Sequence, residues 1–225
     1  SPREGATVTH TLGGMTTRTR PRRRGTLALL AALLVSGFAL AGCSAPGAAP
    51  APGEPGAAAQ PTIVPAEELL AEFALDGGDA VAVVNALDAM PLAQRPDGLI
   101  ASVRPDAVVL TAGERQARLA MPDDLVYVSV APYATQTHDC YFHSLTTCVG
   151  ELQHAALQVT LVDDASGEVL VERPATTFDN GFIGFWVPRG IQATLTVTHD
   201  GMTGTTPIST RSADDPTCIT TLRVA

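Results

Sequence analysis

IQATLTVTHDGMTGTTPIST, residues 191–210, alternates with a period of two on both sides of Asp200-Gly201. Ala193, Leu195 and Val197 fall on one face, and Thr194, Thr196 and Thr198 on the other. A helix does not segregate residues this way, whereas an antiparallel hairpin does, and Asp-Gly supplies its tight turn. The same signature recurs upstream. VVLTAGERQARLAM (108–121) reads as a hairpin, and LVYVSVAPY (125–133) alternates around Val126, Val128 and Val130. LQVTLVDDASGEVLVE (157–172) is two strands joined by a Gly-containing turn. Asp179-Asn180-Gly181 turns into FIGFWV, with Trp186 and the phenylalanines as core bulk, and CITTLRV (218–224) closes the pattern. Seven or more short strands with regular turn signals predict an antiparallel β-sandwich-like domain over 107–225.

The preceding segment, 63–106, reads as a small helical subdomain, so the fold class is α+β. Pro65 suits a first helical turn, and Glu67 and Glu68 lie near the positive helix end. Leu69, Leu70 and Phe73 share one face, and Gly77-Gly78 is the expected stop. Asp79 can cap a second helix, AVAVVNALDAM, with Val81, Val84 and Leu87 as its buried stripe and Pro91 as its end. No Cys or His occurs between 44 and 137, so this part reads as a packing or dimerisation unit rather than a site, which leaves a homodimer open.

Charge divides the chain further. Of 14 arginines (there is no lysine), six lie in residues 1–42 beside a single acid, Glu4. The remainder carries eight arginines against 22 acids, a net of −14, which argues against a nucleic-acid partner. Five arginines in 18–24 precede an apolar run from Thr26 to Leu40. At a rise of ~1.5 Å per residue the run covers ~22 Å, short of a ~30 Å bilayer core, so it suits an export signal better than a spanning helix. Leu40-Ala41-Gly42-Cys43 resembles the lipobox of bacterial lipoproteins. That resemblance implies cleavage before Cys43 and lipid attachment to its sulfur, hence an extracytoplasmic, membrane-anchored protein. Residues 1–42 are thus expected to be signal peptide, with 1–14 an extension upstream of Met15. Residues 43–62, rich in Ala, Pro and Gly, read as a lipid-anchored tether.

Three cysteines remain beyond Cys43. Cys140 and Cys148 lie in HDCYFHSLTTC (138–148) with His138 and His143, and Cys218 lies in DPTCITTL (215–222). Outside the membrane thiols usually pair, and an odd number leaves one over. Two readings stay open on spacing alone. In one, a Cys140–Cys148 disulfide staples a loop and Cys218 is a small buried hydrophobe. In the other, a last strand returning beside an early one brings three sulfurs together as a metal site. Thiolates with an imidazole suit Cu(I), and a fourth N/S ligand would admit Zn(II).

The remaining polar candidates are weaker. His154 and His199 stand apart, and Met90, Met121 and Met202 are dispersed as core residues are. Ser144 lacks a Gly-x-Ser-x-Gly elbow, and Asp179 and Asn180 read as turn residues before cation ligands. No CxxC opens a helix, which disfavours a thiol oxidoreductase.

HDCYFHSLTTCVGEL, TTFDNGFIGFWVPRG and DPTCITTL, in this order across about 137–222, resemble the CueP family of periplasmic copper-binding proteins. The resemblance implies copper as the bound ion, Cys140, Cys148 and Cys218 as its ligands, and a role in copper tolerance. It also implies transfer of copper to an acceptor such as a copper,zinc superoxide dismutase, and thiol-dependent reduction of Cu(II). His138 and His143 fall inside the matching block, with His143 the candidate fourth ligand. Binding and transfer, rather than enzymatic turnover, is the leading expectation. The competing one is a disulfide-stapled sandwich lipoprotein that binds another protein or the envelope.

Overall fold

A computed structural model describes residues 60–225. The expected signal peptide, Cys43 and most of the expected tether lie outside the described residues. Among those described, no helix is long and apolar enough to cross a membrane.

The hairpin of residues 191–210 is strands β9 (Gln192–His199) and β10 (Met202–Ser209). Asp200 and Gly201 take φ of 49° and 80°, the left-handed pair that a two-residue turn needs. Ala193, Leu195 and Val197 are fully buried. β6 (Ala156–Asp163) and β7 (Val169–Thr176) extend this hairpin into an antiparallel sheet ordered β10-β9-β6-β7. A three-stranded sheet, β11-β5-β8, provides the opposing apolar face; it comprises β5 (Leu125–Val130), β8 (Ile183–Pro188) and β11 (Cys218–Ile219). Val126, Val128 and Val130 join Leu157, Val159, Leu195 and Phe185 in one core, as sandwich packing requires.

The N-terminal part has its own sheet. β2 (Ile100–Val103), β3 (Ala107–Ala112) and β4 (Arg115–Ala120) form a meander, and β1 (Thr62–Ile63) adds to β4. Helices α1 (Ala66–Glu72) and α2 (Ala80–Asp88) bury Leu69, Leu70, Val83, Val84 and Leu87 in a second core with Val108, Leu110 and Tyr127. β5 belongs to both cores: its valines point one way, while Tyr127 and Ser129, also buried, point the other. That placement explains why this strand, which alternates around its valines, is covered on both faces.

Several local expectations shift. β2 lies inside the segment expected to be helical. Asp79 caps α2 as anticipated, accepting from Ala82 N at 2.8 Å. Its buried stripe is Ala80, Val83, Val84, Leu87 and Asp88, and Val81 is only half-buried. α1 ends at Glu72, before the Gly pair, because Ala74 turns left-handed (φ 54°) and Leu75 N bonds back to Leu70 O at 3.1 Å. Trp186 sits at the margin of the core, its indole N–H donating to Asn85 Oδ1 at 2.9 Å, and Phe182 and Phe185 supply the buried bulk.

β8 passes close over Tyr127 at Gly184, where an added Cβ would lie 1.7 Å from the phenolic oxygen. Gly184→Ala is therefore expected to displace the Tyr127 ring and to cost about 1–3 kcal/mol, the usual cost of overpacking a core. A lower urea midpoint at unchanged m-value is the readout.

Candidate metal centre

The HDCYFHSLTTC segment has no helix or strand of its own, and it is held by its neighbours. Val103 N bonds to His143 O at 2.7 Å and Leu145 N to Ala101 O at 2.8 Å, which sets the segment against β2. Cys218 N donates to Tyr141 O at 3.1 Å, and His143 N to Thr217 Oγ1 at 3.1 Å, which ties it to β11. β11 in turn runs parallel to β5, with Cys218 opposite Ser129. The return of the last strand beside an earlier one thus brings residue 218 to the loop.

All three sulfurs meet there. Cys140 and Cys218 form a disulfide across 78 residues of sequence, with Cα atoms 5.7 Å apart. Cys148 is the free thiol among the described residues, its Sγ 3.6 Å from that of Cys140. This corrects the Cys140–Cys148 staple, one of the two readings left open: the bonds that Tyr141 O accepts from Cys218 N, and Thr217 Oγ1 from His143 N, hold Cys218 at disulfide distance from Cys140. Cys218 is buried, as expected, beside Ala131 and Phe182.

His143 is fully buried, and its imidazole tilts against Phe182 at 4.5 Å. Its Nε2 lies 3.0 Å from Asp88 Oδ1, and Asp88 is fully buried as well. Asp88 also accepts from Tyr127 OH at 2.6 Å, Ser129 Oγ at 3.2 Å and Asn180 Nδ2 at 2.8 Å. Burial acts to raise the Asp88 pKa, but the bonds from His143, Tyr127 and Asn180 outweigh it and keep the carboxylate below its ordinary value. An ionised carboxylate only accepts, so Nε2 carries a proton and Nδ1 faces the sulfurs, 3.8 Å from Cys218 Sγ. Burial likewise works against the charged imidazole, yet Asp88 and Cys148 raise its pKa to about 9. Cys148 is pushed up by burial and pulled down further by His143, by Ser144 N–H at 3.4 Å and by Arg95, so its pKa falls. The arrangement favours the thiolate form of Cys148, beside two further sulfurs and the His143 ring.

The other sequence candidates lie elsewhere. His154 is exposed against Asp179, and His199 bonds Ala156 O at 2.9 Å. Met121 is buried, Met90 and Met202 are half-buried, and all three pack in the cores. Ser144 accepts from Thr147 Oγ1 within the loop. Asp179 receives Leu92 N at 2.7 Å, and Asn180 serves the buried carboxylate. Reasoning from the sequence missed Asp88, Arg95, Tyr127 and Ser129. A usable signal existed for Asp88: it stands four residues after Val84, an acid on an apolar stripe.

A family model described as periplasmic copper-binding protein CueP matches residues 82–223. The chain belongs to the CueP family. The match begins within α2, so the CueP region includes Asp88 as well as the three sequence blocks. The crystal structure of S.CueP superposes with a TM-score of 0.65 at 34% identity, covering 71% of this chain and 96% of that one. Comparison with curated proteins gave no match.

Proposed function

We propose that this chain binds Cu(I) outside the cytoplasmic membrane and passes it to an acceptor, contributing to copper tolerance. Cys140, Cys148 and Cys218 are its ligands once the disulfide is reduced, and His143 Nδ1 is a fourth donor. The observation that carries this reading is convergence: His143, Cys148 and Cys218 offer ligand atoms within 4.8 Å of one another, and Cys140 is bonded to Cys218. Soft sulfur favours Cu(I), and the same four donors would also accept Zn(II) as the second choice. Lipid attachment at Cys43 would hold the site near the membrane, with a copper,zinc superoxide dismutase as one acceptor. The family's description and the S.CueP match support copper as the cargo.

The test is competition with a chromogenic Cu(I) chelator under a phosphine reductant. The reduced wild type is expected to withdraw one Cu(I) per chain, and the Cys140/Cys148/Cys218→Ser variant none. Equal withdrawal by both would refute the reading. Reduction of Cu(II) is a secondary capacity. Closing the Cys140–Cys218 disulfide gives two electrons, which convert two Cu(II) to two Cu(I), and two protons, which pass to solvent.

A further inference from the structure

Among the described residues, two sets of three donors qualify as metal sites, and they share one member. His143, Cys148 and Cys218 form the inner set, of which only Cys148 is more than marginally exposed. His138, Cys140 and Cys148 form an outer set, with His138 exposed and both cysteines half-buried. In each set the ligand atoms lie within 4.8 Å of one another. A shallow depression lined by His138, Asp139, Cys140, Thr147, Cys148 and Val149 opens onto the outer set. Among the described residues His138 is in no ion pair; its ring rests edge-on to Phe182 at 6.3 Å, with a nitrogen within 4.8 Å of the Cys140 and Cys148 sulfurs.

We propose that the outer set is a separate docking position for Cu(I), and that the ion moves between it and the inner set by exchanging ligands about the shared Cys148 sulfur. This inference rests on the copper-binding reading and adds a route to it. A two-electron reductant, a dithiol or a phosphine, must first open Cys140–Cys218. Cu(I) then lodges on His138, Cys140 and Cys148. Cys218 thiolate bonds as the His138 imidazole leaves, Cys140 and Cys148 stay bound, and His143 Nδ1 joins as the fourth donor. The ion stays Cu(I) throughout, so no electron moves, and the proton of each thiol that binds, and that of His143 Nδ1, passes to solvent. Release runs in reverse, with an acceptor's soft donor approaching where His138 departs. The ion is never bare, and the buried donors never need to reach solvent.

Rates and affinities separate this route from a single site. Cu(I) as its complex with a chromogenic chelator is mixed with reduced full-length protein in a stopped-flow instrument, and the equilibrium is measured in parallel. His138→Asn is expected to slow loading and release together by about tenfold or more while the equilibrium affinity stays within about twofold. Removing one member of the inner set should cost at least what loss of an outer-shell partner costs, so His143→Asn is expected to weaken affinity by about tenfold or more while keeping the rapid first capture. His138 is exposed, so its variant tests the proposal whether or not the His143 variant folds. Unchanged rates in His138→Asn would overturn the outer position, and so would a loss of affinity equal to that of His143→Asn. Failure of reduced wild type to bind Cu(I) would instead overturn the function reading beneath it, a result visible before any variant is made.

Discussion

Asp88→Ala is expected to lower stability by about 3–5 kcal/mol, the range for removing one member of a buried ion pair. The carboxylate and the His143 ring are both fully buried, and Tyr127, Ser129 and Asn180 also donate to that carboxylate. Alanine would leave an imidazole, a phenol, a hydroxyl and an amide facing a cavity at once. An unsatisfied buried donor costs about 1–3 kcal/mol alone, and members of one network do not add independently, so the upper range stays bounded. Against a total stability of about 5–15 kcal/mol this is a large fraction. Asp88→Asn keeps the shape and one acceptor oxygen, and should cost less than alanine while turning an N–H toward groups that are themselves donors. Urea unfolding followed by Trp186 fluorescence gives the answer as a midpoint shift at constant m. A loss under about 1 kcal/mol for the alanine variant, no more than a surface pair contributes, would show that the network does not hold the loop in place.

The same network shows where the sequence could be read and where it could not. Alternation in 191–210 and 125–133 depends on neighbours two residues apart, so the hairpin and the core valines were legible. The parallel pairing of Cys218 with Ser129 has no such local signal, and its consequence, the Cys140–Cys218 bond, had to come from the structure. Proximity in sequence favoured Cys148 as the partner of Cys140, whereas the bonds that Tyr141 O accepts from Cys218 N and Thr217 Oγ1 accepts from His143 N decide the pairing in space. Asp88 was hidden for a related reason. Its partners lie 39 to 92 residues away, so its position on an apolar stripe was the sole clue that the helix end was more than packing. The helical part thus supplies the carboxylate behind the imidazole, and the sandwich supplies the sulfurs in front of it. The sequence blocks that identify the family contain the imidazole and the sulfurs but not the carboxylate.

Oxidation of the Cys140–Cys218 pair should weaken Cu(I) binding by about a hundredfold or more. The disulfide removes two of the three thiolates, leaving Cys148 and His143. If each thiolate contributes only ~1.4 kcal/mol beyond what water offers Cu(I), their joint loss is about a hundredfold. Backbone bonds that hold the two residues together are independent of the S–S bond, so reduction should free the thiols without dispersing them. Recovery of affinity on reduction is therefore expected within the folded protein, with no change in far-ultraviolet circular dichroism. Alkylation and peptide mass spectrometry fix the state of each sample: Cys148 alone of the three should label in the oxidised protein, and Cys140, Cys148 and Cys218 in the reduced one. Comparison of Cu(I) withdrawal by the two samples then isolates the contribution of the pair. Cys218→Ser provides the control, since it leaves Cys140 and Cys148 as thiols and should bind more weakly than reduced wild type but more tightly than the oxidised form. Equal withdrawal by oxidised and reduced protein would mean that copper is held without Cys140 and Cys218, and the three-sulfur centre would have to be abandoned.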